Sequence, residues 1–226
     1  MFLLTFNNLK KQTINNGSLS LQKHRYVIIG ISGGTGAGKT TLVNYAANLL
    51  GKNYTLILSQ DRYYKHLPAL SFEERCLINF DHPDALDLDL LAAHVVQLQK
   101  GNSIESPVYS FEQHLRMDDI EVFHPKKYIL IEGILVFAHA PLRKLFDYKL
   151  YIDADIDKRI ERRVKRDVST RGRTKEEVLT RFENTLHTMH NQFIAPHQSA
   201  SDMVIKNNDL NFAKDQMHLW IETVIK

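Results

Sequence analysis

The sequence has a single cysteine and no long apolar segment. One cysteine, Cys76, excludes an internal disulfide framework and a zinc site built from several cysteines. No run of about 18 apolar residues occurs, so we predict no membrane-spanning helix. The apolar residues 1–6 are too few for the core of a secretory signal. These absences lead us to expect a cytoplasmic protein without a membrane partner.

A strong excess of charge of one sign is also missing. Lysine and arginine number 29 and aspartate and glutamate 26, so the formal net charge is +3. This balance gives no overall field that would attract nucleic acid, and we expect no nucleic-acid partner. Regulatory GTPases carry an Asn-Lys-x-Asp motif and an Asp-x-x-Gly switch, and neither occurs here. Their absence argues against a GTPase switch.

The most informative segment is a glycine-rich loop between an apolar run and an amphipathic pattern. It reads Gly33-Gly34-Thr35-Gly36-Ala37-Gly38-Lys39-Thr40, which fits the phosphate-loop pattern Gly, any four residues, Gly-Lys-Ser/Thr. Its glycines allow backbone N–H groups to point into one hollow at a helix start, where a polyphosphate binds. We expect Lys39 to reach the β- and γ-phosphates and the Thr40 hydroxyl to hold Mg²⁺. The alternative is a turn that only joins a strand to a helix.

From residue 26 onward, short apolar runs alternate with helical patterns, which is typical of a parallel sheet with helices on both faces. Strands are predicted at 26–31, 54–58, 128–131, 148–152 and 203–206. Helices are predicted at 39–50, 88–100, 156–168, 175–193 and 210–224. The segments 108–111 and 120–123 indicate an antiparallel flap at about 106–125. We therefore expect one α/β domain over 26–226, after an extension at 1–25.

Two acidic residues follow predicted strands, at the edge where open parallel sheets bind ligands. Asp61 lies one strand away from the loop, and we expect it to accept the proton of an attacking hydroxyl. Such general-base catalysis contributes about 10²–10⁴ in rate. Glu132 ends another predicted strand, where its carboxylate would act on Mg²⁺ or on its water shell. The alternatives are a turn or helix cap for Asp61 and a packing role for Glu132.

An arginine-rich segment follows the strand predicted at 148–152. Arg159, Arg163 and Arg166 recur at helical spacing on one face, and Gly172 marks a bend before Arg173. This pattern fits a lid, at about 166–174, whose guanidinium groups close over phosphates and exclude water. A solvated basic helix face or a nucleic-acid patch is the alternative interpretation.

Taken together, these segments resemble the uridine kinases of the phosphoribulokinase/uridine kinase group. The matching residues, in family order, are 30–41, 59–61, 79–85, 107–109, Phe111, His114, Arg116, 132–135, 162–163, 166–167 and 171–173. The segments 79–85 and 132–135 are more selective than the loop alone. The resemblance implies a P-loop kinase fold in which a parallel sheet carries helices on both faces, a small antiparallel flap and an arginine-rich lid.

The same resemblance implies an activity and a set of roles. The γ-phosphoryl group of ATP or GTP would pass to the 5′-hydroxyl of uridine or cytidine, with Asp61 as the base. Asp81 would hold the ribose 2′- and 3′-hydroxyls. The implied contacts are Tyr109, Phe111 and His114 around the pyrimidine, Arg163 and Arg173 on the nucleoside, and Arg166 and Arg171 on the phosphates. A homo-oligomer, either a dimer or a tetramer, is implied as well.

Departures from the family pattern leave other functions open. Thr170, Arg181, 186–189 and 206–207 differ from it, which affects nucleoside preference and lid behaviour. One alternative is a kinase of the same group that acts on pantothenate or a sugar phosphate. Another is a non-catalytic module that binds nucleotide or RNA through its arginines, and it would show salt-sensitive RNA binding.

Overall fold

The computed structural model describes residues 26–170 and 172–225. The extension predicted at 1–25 lies outside the described residues, as do Arg171 and Lys226. Within the described part of the chain, no helix is both long and apolar enough to cross a membrane.

Five of the strands and most of the helices lie where the sequence predicts them. The strands are β1 (Val27–Gly33), β2 (Thr55–Ser59), β3 (Ile104–Ser110), β4 (Leu115–Phe123), β5 (Tyr128–Glu132), β6 (Tyr148–Asp153) and β7 (Met203–Lys206). The helices are α1 (Lys39–Leu50), α2 (Phe72–Cys76), α3 (Leu88–Gln99), α4 (Ala140–Arg143), α5 (Ile156–Thr170), α6 (Lys175–Arg181), α7 (His187–Met189) and α8 (Leu210–Trp220). The short helices α2 and α4 were not predicted.

The predicted helix at 175–193 is interrupted in its hydrogen bonding. π-helical turns at Phe182–Leu186 and His190–Ile194 lie on either side of α7, and a third at Ile221–Ile225 prolongs α8. Backbone dihedral angles stay helical through the boundary residues of the first two turns. The sequence therefore predicts the extent of this segment, whereas the local change to i→i+5 bonding has no signal in its residue pattern.

The main sheet has the strand order β2-β5-β1-β6-β7, and each pair of neighbours is parallel. Glu132 at the end of β5 pairs with Ile31 of β1 on one side and with Ser59 of β2 on the other. Because the carboxyl ends of these strands meet at one edge, Glu132 lies between the glycine-rich loop after β1 and the turn after β2. The predicted α/β fold class is confirmed.

Alternate residues of the central strands pack against helices on opposite faces of the sheet. Ile28 and Ile129 belong to a core formed with α3 and α4, whereas Ile29 and Leu130 belong to a second core formed with α1 and α8. Successive side chains of a strand point to opposite faces, so both faces of a central strand must be apolar to be buried in this way.

The predicted flap is the antiparallel hairpin of β3 and β4, whose register shifts between Pro107 and Tyr109. Two arginines attach it to the 3₁₀ turn Gln60–Tyr63 that follows β2. Arg116 of β4 donates to the Tyr63 carbonyl at 3.1 Å, and Arg62 of the turn donates to the Pro107 carbonyl at 3.3 Å. The flap is thereby held over the carboxyl edge of the sheet.

Candidate active site

One pocket at the carboxyl edge of the sheet brings together most of the predicted site residues. These lining residues are Thr35, Gly36, Lys39, Thr40, Asp61, Asp81, Tyr109, Phe111, His114, Glu132, Arg163, Arg166 and Arg173. They come from the loop, the turn after β2, the segment between α2 and α3, the flap, the end of β5 and helix α5 with its following bend. Gly33, Gly34, Ala37 and Gly38 belong to the loop but do not line this pocket. Arg171 lies outside the described residues.

The glycine-rich loop is packed closely from outside. Gly36 and Gly38 have φ of +75° and +90°, which L side chains rarely adopt. A Cβ at Gly36 would lie 2.2 Å from the Arg159 carbonyl oxygen, and one at Gly38 would lie 2.2 Å from Nδ2 of Asn207. Asn207 also donates from Nδ2 to the Ala37 carbonyl at 2.7 Å. The loop conformation is thus determined by α5 and by the residues after β7.

Lys39 is a buried cation opposite two carboxylates. Its Nζ donates to the carbonyls of Gly33 at 2.9 Å and Gly34 at 3.1 Å. Burial lowers the pKa of the Lys39 ammonium to about 8, although the charges of Glu132 and Asp61 act in the opposite direction. The ammonium group is weakly solvated and close to anions, which is the environment that strengthens its interaction with a phosphate.

Glu132 and Asp61 form an acidic pair at the pocket edge. Burial and the neighbouring Asp61 charge raise the pKa of the Glu132 carboxyl. Glu132 accepts a hydrogen bond from the Ser59 hydroxyl at 2.8 Å. Ser59 also caps the turn after β2 by accepting from the Asp61 backbone N–H at 3.3 Å. Ser59 therefore provides the cap that one alternative assigned to Asp61.

Aromatic side chains form the other end of the pocket. The ring centroids of Tyr64 and Tyr109 are 4.9 Å apart, and Phe80 stacks on His114 at 4.8 Å with an interplanar angle of 17°. Phe111 packs edge-on to Tyr109 at 5.5 Å. This aromatic wall, formed by Tyr64, Phe80, Tyr109, Phe111 and His114, offers flat apolar surface for a planar ligand. Sequence reasoning gave no role to Tyr64 or Phe80.

His114 has an unusual backbone, and Tyr109 has an isolated hydroxyl. His114 has φ of +49°, a left-handed conformation uncommon outside glycine and often associated with binding sites. The Tyr109 hydroxyl is buried and has no hydrogen-bond partner among residues 26–170 and 172–225. Burial and the Asp61 charge raise the pKa of Tyr109, so this hydroxyl stays protonated and able to donate. The His114 side chain and the Tyr109 hydroxyl both offer polar contacts beside the rings.

The arginines of α5 have different surroundings. Arg163 donates from Nη1 to the Thr35 hydroxyl at 2.7 Å, and the same atom lies 3.7 Å from Oδ1 of Asp81. Arg159 donates from Nε to the Thr35 carbonyl at 3.1 Å but does not line the pocket. Burial lowers the pKa of Arg159. The solvated-face alternative is wrong for Arg159 and Arg163, since both are buried.

Several other residues belong to the site although the sequence analysis did not assign them. Gly133, Ile134 and Arg181 also line the pocket, and Arg181 had been noted only as a departure from the family pattern. Gln60 is fully buried and accepts from the Leu135 backbone N–H at 2.7 Å. Gln60 lies within the segment 59–61 that matches the family pattern, and this match was the signal that could have identified it.

The chain matches the model of the Phosphoribulokinase / Uridine kinase family over residues 28–211. It is 41% identical to a uridine kinase of Clostridium perfringens over 187 residues, which cover 83% of this chain and 90% of that protein. A uridine kinase of Geobacillus sp. is 42% identical over 201 residues, covering 88% and 95% of the two chains. The phosphoribulokinase of Rhodobacter spheroides has the same fold, with a TM-score of 0.61 at 15% identity, covering 81% of this chain and 70% of that one.

The contact between Arg159 and His190 predicts a pH-dependent stability. Nη1 of Arg159 lies 3.2 Å from Nε2 of His190, and a guanidinium only donates, so this nitrogen accepts and the ring is neutral. Burial, followed by the Arg159 charge, lowers the pKa of His190 to about 4. The unfolded chain binds this proton near the ordinary value of 6.5, so the stability contribution is complete above pH 6.5 and is lost as pH falls through about 4.

Between pH 6.5 and pH 4 the unfolded chain binds up to one proton more at His190 than the folded chain does, so the free energy of unfolding falls with pH. We expect His190→Gln to reduce the slope of this fall by the equivalent of up to one proton, measured by urea denaturation at several pH values. His218→Gln is the matched control, because His218 is exposed on α8 and is not among the charges that act on His190. Equal slopes in the His190→Gln variant and the parent would contradict the assignment of a buried neutral imidazole.

Proposed function

The chain belongs to the phosphoribulokinase/uridine kinase family, and we propose that it is a uridine kinase. The reaction moves the γ-phosphoryl group of ATP or GTP to the 5′-hydroxyl of uridine or cytidine and gives UMP or CMP. The observation that carries this proposal is a single pocket in which Lys39, Asp61 and the aromatic wall line the same space. A nucleoside placed with its ring on the aromatic wall has its sugar between that wall and the phosphate loop.

The loop end of the pocket suits a triphosphate with Mg²⁺. Thr40 and Glu132 offer a hydroxyl and a carboxylate, and hard oxygen donors are the ligands that Mg²⁺ prefers. Burial and the neighbouring Asp61 disfavour the charged form of Glu132, so this acidic pair gains from a nearby cation. Thr40 and Glu132 would hold Mg²⁺, which would supply positive charge next to the phosphate groups.

The chain's own residues supply positioning and charge in the proposed reaction. Asp61 accepts the proton of the 5′-hydroxyl. The hydroxyl oxygen forms a bond to the γ-phosphorus, and the bond between that phosphorus and the bridging oxygen of the β-phosphate breaks. Lys39 and Arg166 place positive charge beside the phosphate oxygens. Arg171 is proposed to contact the phosphates as well.

The other end of the pocket suits a ribonucleoside. Asp81 is partly buried and can accept hydrogen bonds from the 2′- and 3′-hydroxyls. Arg163 connects this carboxylate to Thr35 of the loop, which brings the sugar and phosphate contacts together. Tyr109, Phe111 and His114 would contact the pyrimidine, and Arg173 would contact the nucleoside.

The aromatic wall favours this function over the alternatives. Flat rings suit a planar base, and neither pantothenate nor a sugar phosphate presents one. An RNA-binding module would need its arginines on an outer surface, whereas Arg159 and Arg163 are buried.

The proposal is tested with purified protein, ATP and Mg²⁺ supplied with uridine, cytidine, pantothenate and ribulose 5-phosphate in separate reactions. We expect UMP or CMP, identified by mass spectrometry, and nucleoside-dependent consumption of ATP. Phosphorylation of pantothenate or the sugar phosphate alone, or ATP consumption that no acceptor changes, would contradict the proposal.

Asp61→Asn removes the proton acceptor while keeping the side-chain shape. We expect kcat to fall by about 10²–10⁴ with the KM for uridine nearly unchanged, measured by steady-state kinetics. Asp215→Asn, an exposed position on α8, is the matched control and should behave like the parent. If Asp61→Asn keeps the parent kcat, Asp61 is not the base.

Asp81→Ala should change the choice of sugar. 2′-Deoxyuridine lacks one of the two hydroxyls that would donate to the Asp81 carboxylate, so we expect the parent to prefer uridine. In the variant we expect a raised KM for uridine and a ratio of kcat/KM values, uridine over 2′-deoxyuridine, close to one. Asp84→Ala, at an exposed position in the 3₁₀ turn Pro83–Ala85 that follows Asp81, should keep the parent ratio. An unchanged ratio in Asp81→Ala would remove Asp81 from sugar recognition.

A further inference from the structure

Asp167 is a fully buried carboxylate on α5 that the reaction itself does not use. Its Oδ2 lies 3.3 Å from Nε of Arg163 and 3.5 Å from Nη1 of Arg173. Its Oδ1 accepts from Nε of Arg166 at 2.8 Å and lies 2.8 Å from Nη2 of the same side chain. One carboxylate therefore lies in contact with guanidinium groups of three different arginines.

All three arginines line the pocket, whereas Asp167 does not. Arg163 and Arg166 precede Asp167 on α5, and Arg173 follows the bend at Gly172. The Arg173 backbone N–H also donates to the Asp167 carbonyl at 3.3 Å. Asp167 is thus joined by side chain and by backbone to the residue on the far side of the bend.

The charges explain why this carboxylate matters. Guanidinium groups repel one another, and two of these side chains are mostly buried, with 7% exposure for Arg163 and 18% for Arg173. An ionised carboxylate offers about four lone-pair sites and can accept from several donors at once. Removal of a buried partner leaves uncompensated charge, which turns side chains away or admits water.

We propose that Asp167 is a positioning residue for phosphoryl transfer. Its carboxylate sets the directions of the Arg163, Arg166 and Arg173 guanidinium groups so that other N–H groups of these side chains face the phosphates and the nucleoside. This inference rests on the proposed function only for the identity of the acceptor. The arrangement of the arginines around the nucleotide does not depend on which acceptor is used. A role limited to stability would lower the melting temperature and leave catalysis by the folded enzyme unchanged.

The test compares Asp167→Asn with Asp157→Asn in the full chain. Asp157 lies on the same helix and is exposed, so its variant makes the same chemical change away from the pocket. The readouts are the melting temperature, the shift of that temperature produced by Mg²⁺-ATP, and kcat and KM for ATP and uridine at a temperature where each variant is folded.

For Asp167→Asn we expect at least about a tenfold loss in kcat/KM for ATP and a smaller Mg²⁺-ATP shift, because misdirected guanidinium groups lose contacts to the phosphates. Asp157→Asn should match the parent in both. A folded Asp167→Asn protein whose kcat/KM lies within twofold of the parent, with an undiminished shift, would overturn the inference.

Asp167→Glu is the second variant, used if the asparagine protein does not fold. It keeps the charge but moves the carboxylate by one methylene, so we expect a folded protein with reduced kcat/KM and a reduced Mg²⁺-ATP shift. Parent-like values in this variant would also overturn the inference. If the parent itself does not phosphorylate uridine or cytidine, the proposed function fails, and the Mg²⁺-ATP shift still decides the role of Asp167.

Discussion

The site depends on a buried lysine opposite two carboxylates, Glu132 at the end of β5 and Asp61 in the turn after β2. The strand order places β5 between β1 and β2, so Glu132 lies between the loop that carries Lys39 and the turn that carries Asp61. Each of these charges would be costly to bury alone, and together they offset one another. The same arrangement leaves a lysine and two acids facing a space where a metal-bound triphosphate and a hydroxyl can meet.

Close packing keeps this arrangement rigid. Arg159 and Asn207 press on the loop from outside, and a side chain at Gly36 or Gly38 would collide with them. Gln60 joins the turn after β2 to the segment after β5 through Leu135. These contacts come from elements far apart in sequence and hold the loop in one conformation, and such preorganisation lowers the entropic cost of binding a ligand.

The flap connects the aromatic wall to the turn that contains Asp61. Strand β3 carries Tyr109, and the residues between β3 and β4 include Phe111 and His114, while Arg116 donates to the carbonyl of Tyr63 in that turn. A movement of the flap would therefore displace part of the aromatic wall and the turn after β2 together. This coupling gives the family likeness at 107–116 a physical meaning, since these residues both form part of the aromatic wall and hold the turn that contains Asp61.

Local patterns in the sequence determined the strands, the long helices and the phosphate loop, because burial periodicity, glycine conformation and motif spacing act over a few neighbouring residues. The family resemblance supplied most of the other residues that line the pocket. Tertiary structure alone decided that Arg159 braces the loop, that Tyr64 and Phe80 complete the aromatic wall, and that Asp167 joins three arginines. A run of arginines with an aspartate gives the same sequence pattern whether the helix is solvated or buried. Only the packing of α5 against the loop removes water from these side chains, and burial turns their charges into specific pairs.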